Sequence, residues 1–263
     1  MTEEPDDATR TAPASPLRSA RAAFVFLTRV PVGGFPYTEA EWRGAAGHFP
    51  LVGAAVGAAT AAVFELLRPA GAFAAALLGL GASLLMTGAF HEDGLADTAD
   101  ALGGAFDRDK ILAILKDSRV GTYGACAVVL SLAGRAALVA QLGDRAAWAL
   151  PLVGAAARVG PVWQIATQRY VTPEHSRSRS VVGAGRAQAW TATAWAIAVG
   201  LALAAARLVP PLRAAAAAAA CAGVTAFCSW RYQRRLGGIT GDFLGATEQL
   251  CELAALVALA WGS

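Results

Sequence analysis

Long apolar stretches separated by short polar segments run through most of this 263-residue chain. Seven stretches come close to the roughly 20 residues that an α-helix needs to cross a bilayer's ~30 Å hydrocarbon core. They are Phe49–Leu67, Ala70–Phe90, Gly124–Leu142, Ala146–Ala166, Ala189–Val209, Leu212–Trp230 and Phe243–Trp261. All are rich in Ala and Gly, which let helices approach closely within a membrane. The pattern predicts an all-α fold, a polytopic transmembrane helical bundle of about seven spans.

Two further segments precede the first predicted span. Residues 1–20 open with acids and continue with Pro, Ala and Ser without apolar periodicity, so we expect a disordered tail. Its acidic start does not match a secretory signal peptide. The apolar stretch Ala22–Val30 is too short to span and is flanked by Arg21 and Arg29. It is predicted to form a helix in the membrane interface.

The composition supports a membrane protein. The chain is 56% hydrophobic and 16% charged, with a mean hydropathy of +0.47, whereas soluble domains carry roughly 25% charged residues. Its basic residues are scattered, without the basic face that nucleic-acid binding needs. The four cysteines stand alone, so neither a zinc site nor a disulfide framework is indicated.

Lys and Arg residues are divided unevenly between the two alternating sets of connections. The N-terminal region and the loops 91–123, 167–188 and 231–242 carry sixteen of them, and the other set carries four. Cytoplasmic loops are enriched in Lys and Arg. The N-terminus and the long loops are therefore predicted to be cytosolic, and the C-terminus is predicted to lie outside.

The most acidic segment, His91–Asp100, follows the second predicted span directly. If it continues as helix, Asp93, Asp97 and Asp100 share one face at spacings i, i+4 and i+7. Three carboxylates on one face repel each other unless a cation lies among them, and hard oxygen ligands suit Mg²⁺. The alternative is a solvated helix end. It is less favoured because no Lys or Arg occurs between His91 and Asp107.

A basic segment, Lys116–Gly124, leads into the third predicted span. Lys116 and Arg119 are suited to holding phosphate oxygens, and the glycines at its end let backbone N–H groups approach an anion at the coming helix N-terminus. Positive charge at a membrane interface without a ligand is the alternative. Together with the acidic segment, the pattern indicates a magnesium-dependent phosphotransfer site.

A second acidic group lies at the start of the last predicted span. Asp242 closes a glycine-rich turn, and Glu248 and Glu252 follow at i, i+4 spacing inside the span. An ionised acid at mid-bilayer costs about 2.5–3.5 kcal/mol or more, so such acids are usually functional. The alternative for Glu248 is pairing with Arg135 or Arg158 across the bundle, and for Asp242 it is capping of the last helix.

Five phrases of the sequence together resemble one family, the cobalamin synthases (adenosylcobinamide-GDP ribazoletransferases). They occur in the family's order and span about residues 24 to 260. The phrases are Phe26–Pro31, His48–Gly53, His91–Asp100, Lys116–Gly124 and Gly237–Ala246. The chain departs from the family pattern at Glu92, at Ile239 and in its acidic tail.

The resemblance implies a multi-pass enzyme of the cell (inner or plasma) membrane whose single transmembrane catalytic domain is residues 21–263. Such an enzyme joins adenosylcobinamide-GDP to alpha-ribazole or its 5'-phosphate and releases GMP, with Mg²⁺ as cofactor. Small-molecule substrates and the lipid bilayer are the partners it implies; a homo-oligomer or other cobalamin-pathway enzymes stay open as further partners.

Roles for individual residues follow from the same resemblance. Asp93, Asp97, Asp100 and Asp242 would hold Mg²⁺, one of the first three also accepting a proton, and Lys116 and Arg119 would neutralise charge on the leaving GMP. The residues expected to contact substrate are Arg29, His48, Asp117, Ser118, Thr240, Asp242 and Glu248.

Two other functions remain as alternatives at this stage. A CDP-alcohol phosphotransferase uses similar clustered aspartates in a D-x2-D-G-x2-A-R motif. That motif is not met here, because its Ala is followed by Arg, whereas Ala96 is followed by Asp97. A cation-coupled transporter places ionisable residues near the midplane in broken, repeated helices. Here most acids lie at the cytosolic boundary, and no internal repeat is found.

Overall fold

The computed structural model describes residues 15–171 and 181–262. In these ranges the chain is helical apart from turns and one isolated bridge between Tyr170 and Ile239. The α-helices of the described residues are α1 (Pro16–Leu27), α2 (Glu39–Ala45), α3 (Phe49–Leu67), α4 (Ala72–Thr87), α5 (Phe90–Gly104), α6 (Arg108–Ile114), α7 (Thr122–Leu142), α8 (Ala146–Ala157), α9 (Val159–Thr167), α10 (Arg186–Ala205), α11 (Pro211–Leu236) and α12 (Gly241–Ala260). The predicted all-α bundle is confirmed.

The N-terminal helix differs from its predicted extent. Residues 1–14 of the predicted tail lie outside the described residues, but Pro16 already opens α1, where proline is favoured because its φ suits the first helical turn. The tail prediction is therefore wrong for residues 16–20. α1 ends at Leu27 and packs against α2 and the start of α3. With 12 residues it is too short to span a bilayer.

Five helical stretches are long and apolar enough to cross a membrane, or six if the bent pair α4–α5 counts as one span. The longest, Thr122–Thr167, has 46 residues, about 69 Å of helix at 1.5 Å per residue. This stretch folds back at Gly143–Arg145. Arg135 before that turn and Arg158 after it both contact Glu252, which a straight helix of this length would not allow. Divided at this hairpin, the described residues form seven segments that could cross a membrane, which we call legs: α3, α4 with its bent extension α5, α7, α8 with α9, α10, α11 and α12. This number equals the number of predicted spans.

Six of the seven predicted spans have different limits in the structure, and three of them differ through a bend, a break or a long extension. The second ends at Thr87 instead of Phe90, because the chain bends by 94° between α4 and α5. The fourth is broken near Arg158 into α8 and α9, and the sixth continues to Leu236 as α11. The first span matches α3 in full.

Glycines bring α3 and α8 into direct backbone contact. A Cβ atom on Gly53 would lie 2.0 Å from the carbonyl oxygen of Gly154, and one on Gly154 would lie 2.2 Å from that of Gly53. One turn further, a Cβ on Gly57 would lie 2.2 Å from the carbonyl oxygen of Leu150. Helices in lipid have no hydrophobic driving force for association. Small residues at such crossings allow close van der Waals packing, which stabilises the pair instead. This pair therefore forms the most closely packed crossing of the bundle.

A buried ion network joins four legs at the centre of the bundle. Glu252 of α12 lies 2.7 Å from Arg135 of α7 and 3.3 Å from Arg158, at the junction of α8 and α9. Arg158 also lies 2.9 Å from Glu248, and Arg135 lies 3.2 Å from Glu92 of α5. The pairing of Glu248 with Arg158, one of the alternatives left open by the sequence, is confirmed. The network fixes α12 against α5, α7 and α8.

We expect Gly53→Ala to lower the melting temperature of the protein in detergent micelles. The added methyl group cannot fit against Gly154, so α3 and α8 must separate, and overpacking of this kind costs about 1–3 kcal/mol. Gly81→Ala is the matched control, since nothing lies within 4 Å of its new Cβ. Equal melting temperatures for the two variants would contradict the contact.

Arg135→Met should be strongly destabilising. It leaves Glu92 and Glu252 without their buried partner, and breaking a buried pair from one side costs about 3–5 kcal/mol. Adding Glu252→Gln to the variant should recover part of the loss, which a double-mutant cycle of melting temperatures measures. Arg234→Met, at an exposed position, serves as the control; strictly additive effects would show that Arg135 and Glu252 do not interact.

Candidate active site

The sharp bend after α4 turns the acidic helix away from the direction of the spans. Gly88 and Ala89 both have left-handed backbone, with φ of 71° and 57°. The Arg29 side chain packs over Gly88 so closely that a Cβ atom there would lie 2.4 Å from its Nε atom, and the Arg29 backbone N–H donates to the Met86 carbonyl at 2.7 Å. Arg29 therefore lies at the start of α5, beside the acidic segment as its predicted substrate role requires.

The acidic segment is helical, as expected, and it packs against the start of α12. A Cβ atom on Gly94 would lie 2.8 Å from the backbone oxygen of Asp242, and one on Gly245 would lie 3.2 Å from that of His91. The two glycines let the helices touch through their backbones. Residues from distant parts of the sequence thereby meet at one end of the bundle.

Four aspartates are gathered at this contact. The carboxylate of Asp97 interacts electrostatically with those of Asp242, Asp93 and Asp100, and Asp242 also interacts with Asp93. Asp93 is exposed, and Asp97 and Asp242 are half-buried. Among the described residues, no Lys or Arg forms an ion pair with Asp93, Asp97 or Asp242. Repulsion among them is therefore not relieved by the protein's own basic side chains.

The arrangement is not a closed metal cage. No three His, Cys, Asp or Glu side chains of residues 15–171 and 181–262 are arranged to hold an ion together. Mg²⁺ does not require such a cage, since it keeps several waters and is usually held by one or two carboxylates plus substrate phosphates. The oxygen donors of Asp93, Asp97 and Asp242, uncompensated and open to water, fit that mode of binding.

Asp100 is used differently from the other three aspartates. Its two carboxylate oxygens accept hydrogen bonds from the backbone N–H groups of Gly121 and Gly124, at 2.7 and 2.8 Å. The side chain is buried and anchors the N-terminus of α7. The metal role expected for Asp100 therefore competes with a structural one. The anchor also links the acidic helix to the basic segment that precedes α7.

The basic segment between α6 and α7 is exposed, and its charges are partly paired. Arg119 is 87% exposed and its guanidinium donates to Asp117 at 2.6 and 2.9 Å. These hydrogen bonds lower the pKa of Asp117 to about 2, so the pair remains intact at neutral pH. Lys116 and Ser118 are also exposed. Asp117 engages only Nε and Nη2 of Arg119, so Nη1 is left to donate to a phosphate.

The remaining residues expected to contact substrate lie in three different environments. Thr240 is buried and caps α12, accepting from the Phe243 N–H at 3.2 Å, so the capping role considered for Asp242 belongs to Thr240. His48 accepts a hydrogen bond from the Trp195 indole at 3.0 Å. Glu248 is buried in the ion network and also lines a narrow cavity with His91. A cavity of about 40 Å³ has room for a few waters at most.

Three residues that were not predicted to belong to the site, His91, Glu92 and Arg235, support it from the interior of the bundle or from the end of α5. His91 and Glu92 precede Asp93 but point into the bundle, where both are buried. Arg235 donates to the carbonyl oxygens of Leu102 and Ala105 and thereby holds the C-terminal end of α5. The sequence offered two indications of these roles. His91 and Glu92 are polar residues directly after an apolar span, and Arg235 is a basic residue in the last turn of α11.

Comparison with known proteins agrees with this geometry. A family model described as cobalamin-5-phosphate synthase matches residues 19–260. An adenosylcobinamide-GDP ribazoletransferase of Leptothrix cholodnii is 40% identical over 253 residues, which cover 91% of this chain and 94% of that protein. The same enzyme of a Polaromonas species is 37% identical, covering 93% and 96%, and that of Rhizobium johnstonii is 39% identical, covering 90% and 94%.

No solved structure matches this chain. The family match covers α1 through α12, and therefore includes both the acidic helix and the start of α12 that meet at the four aspartates. The chain belongs to the cobalamin-5-phosphate synthase family, whose curated members are adenosylcobinamide-GDP ribazoletransferases.

Proposed function

We propose that this chain is an adenosylcobinamide-GDP ribazoletransferase that joins adenosylcobinamide-GDP to alpha-ribazole or its 5'-phosphate and releases GMP. The observation that carries the proposal is the meeting of the α5 aspartates with Asp242 at the Gly94 and Gly245 contact. Both phrases are among those that resemble the family. A transporter does not need an acidic group of this kind at the end of the bundle.

The chemistry is a phosphoryl transfer. The ribose hydroxyl oxygen of the ribazole forms a bond to the cobinamide phosphorus, the bond from that phosphorus to the oxygen of GMP breaks, and the hydroxyl proton passes to a carboxylate. We assign this proton to Asp93 or Asp97, since both have solvent-accessible side chains and neither forms an ion pair with a basic side chain of the described residues. Lys116 and Arg119 are exposed in the segment that Asp100 joins to the acidic helix, and they would hold the leaving phosphate.

We assign Mg²⁺ to Asp93, Asp97 and Asp242, with Asp100 as the residue that positions α7. When bound, Mg²⁺ would supply the positive charge that neutralises the phosphate groups as charge develops in the transition state. The protein around these aspartates must also keep this end of the bundle open to large polar substrates. The exposure of Asp93 and of the 116–121 segment supports such access.

We further propose that this end of the bundle faces the cytosol in the cell membrane. The predicted cytosolic connections come together there: Arg235 contacts the end of α5, Arg108 donates to the Leu236 carbonyl, and the Tyr170 bridge joins Ile239. The connections predicted to lie outside meet at the opposite end, where Arg68 pairs with Asp144. The charge imbalance between the two ends supports the orientation.

The activity is tested by GMP release from adenosylcobinamide-GDP and alpha-ribazole, with purified protein in lipid vesicles and Mg²⁺. Asp97→Asn and Asp242→Asn should each lower turnover by roughly 10²-fold or more, the scale on which loss of one charge-stabilising group acts. Asn preserves size, and the cap of α12 is Thr240, so folding should persist. Asp109→Asn, exposed on α6, should remain active.

The double variant separates a shared site from independent roles. If Asp97 and Asp242 serve one ion, Asp97→Ala with Asp242→Ala should lose little more activity than either alone. No GMP above an EDTA control with the unaltered protein would reject the enzyme assignment. Near-normal kinetics for Asp242→Asn beside an inactive Asp97→Asn would remove only Asp242 from the site.

Orientation is tested by cysteine labelling in intact cells. In a background with the four cysteines replaced by alanine, Asp109→Cys should react with an impermeant maleimide only after lysis, and Leu208→Cys should react from outside. Both positions are exposed, so a lack of labelling reflects the membrane barrier. Labelling of Asp109→Cys in intact cells would invert the topology.

A further inference from the structure

A large apolar groove separates α10 from α11. The two helices make little contact with each other, although both pack on α8 and α9. The groove has a volume of about 680 Å³ and is lined mainly by small or aliphatic side chains, including Ala156, Ile197, Gly200 and Ala218. Along α11 it extends from Pro211 to Ala226, about 22 Å at 1.5 Å per residue. One leaflet of the hydrocarbon core is about 15 Å thick, so the groove is long enough for an acyl chain.

At its outer end the groove continues into a second cavity of about 560 Å³ that is lined in part by arginines. The two share Ala204 and Pro211 in their walls. Three arginines line the second cavity, Arg145, Arg207 and Arg213. They come from the α7–α8 turn, the α10–α11 turn and the start of α11, so the fold gathers them from three separate positions.

These arginines have no acidic partner among the described residues. The nearest acid in sequence, Asp144, pairs with Arg68 instead. Within residues 15–171 and 181–262, Arg145 and Arg213 donate only to backbone carbonyl groups, those of Leu142 and Leu259. Arg207 is exposed at the end of α10. Uncompensated positive charge at a membrane boundary attracts anionic headgroups.

We propose that the groove and the arginine cavity together bind an anionic phospholipid. The headgroup phosphate would contact Arg145, Arg207 and Arg213, and an acyl chain would lie between α10 and α11. The side chain of Trp148 lines the same cavity. Charge at one end and an apolar channel at the other match the two chemical parts of this ligand. The site lies at the end of the bundle opposite the aspartates and takes no part in the reaction.

Native mass spectrometry of the full chain in detergent tests the site by measuring the affinity of the first bound lipid. Phosphatidylglycerol and phosphatidylcholine with identical acyl chains are the probes. The unaltered protein should prefer phosphatidylglycerol by at least about fivefold, roughly the effect of one arginine near a headgroup. Arg145→Gln with Arg207→Gln should remove that preference, whereas Arg145→Lys with Arg207→Lys should retain it.

The apolar part is tested separately. Ala218→Trp places a ring inside the groove and should weaken the binding of both lipids by at least about fivefold, roughly the effect of one lost CH₂ contact. Ala219→Trp is the matched control, since its side chain is exposed outside the groove, and it should change neither affinity.

Three results would overturn the proposal. Equal affinity of the unaltered protein for the two lipids would show that the arginines do not select an anion. A preference that survives the double Gln variant would place the lipid elsewhere. Loss of phosphatidylglycerol binding in excess inorganic phosphate, with Ala218→Trp silent, would identify a site for the free anion instead.

Discussion

The architecture depends on burying two guanidinium groups inside an apolar bundle. Arg135 and Arg158 are almost fully inaccessible, and charges at such depth persist only when they are paired. Their partners are supplied mainly by α12, through Glu248 and Glu252. Because each pair has a fixed length, the axial position of α12 is set against α7 and against the α8–α9 junction. A shift of one turn would leave several charges unpaired.

The axial position of α12 also determines which residues meet at the end of the bundle. With Glu252 held between two arginines, the start of α12 arrives where Gly245 can face α5 and Gly94 can face Asp242. The aspartates of two distant segments then lie side by side. Asp100 extends the arrangement by holding the N-terminus of α7 through two backbone N–H groups. Structural ion pairs in the interior thus position the candidate site carboxylates Asp93, Asp97 and Asp242, which have no basic partners among the described residues.

Much of this could be predicted from local sequence patterns. Hydropathy located every leg of the bundle, and the spacing of Asp93, Asp97 and Asp100 put these acids on one face on the condition that the segment is helical, as it is. The 94° bend could not be predicted, because Gly88 and Ala89 must both adopt left-handed backbone and the second is not glycine. Asp100 could not be told from its neighbours, since its partners Gly121 and Gly124 belong to another helix. Choosing between Arg135 and Arg158 as the partner of Glu248 likewise required tertiary contacts.

The bend after α4 also has a consequence for the surrounding lipid. α4 has 16 residues, about 24 Å of helix, whereas a typical hydrocarbon core is ~30 Å thick. A span that is shorter than the hydrocarbon core creates a hydrophobic mismatch. Thinning of the bilayer around the span accommodates this mismatch at a modest cost per ångström. We therefore expect the membrane surface beside α4 to lie several ångströms deeper than elsewhere. The acidic helix would then begin in a depression, where polar molecules from the water can approach aspartates held close to the level of the bundle's interior.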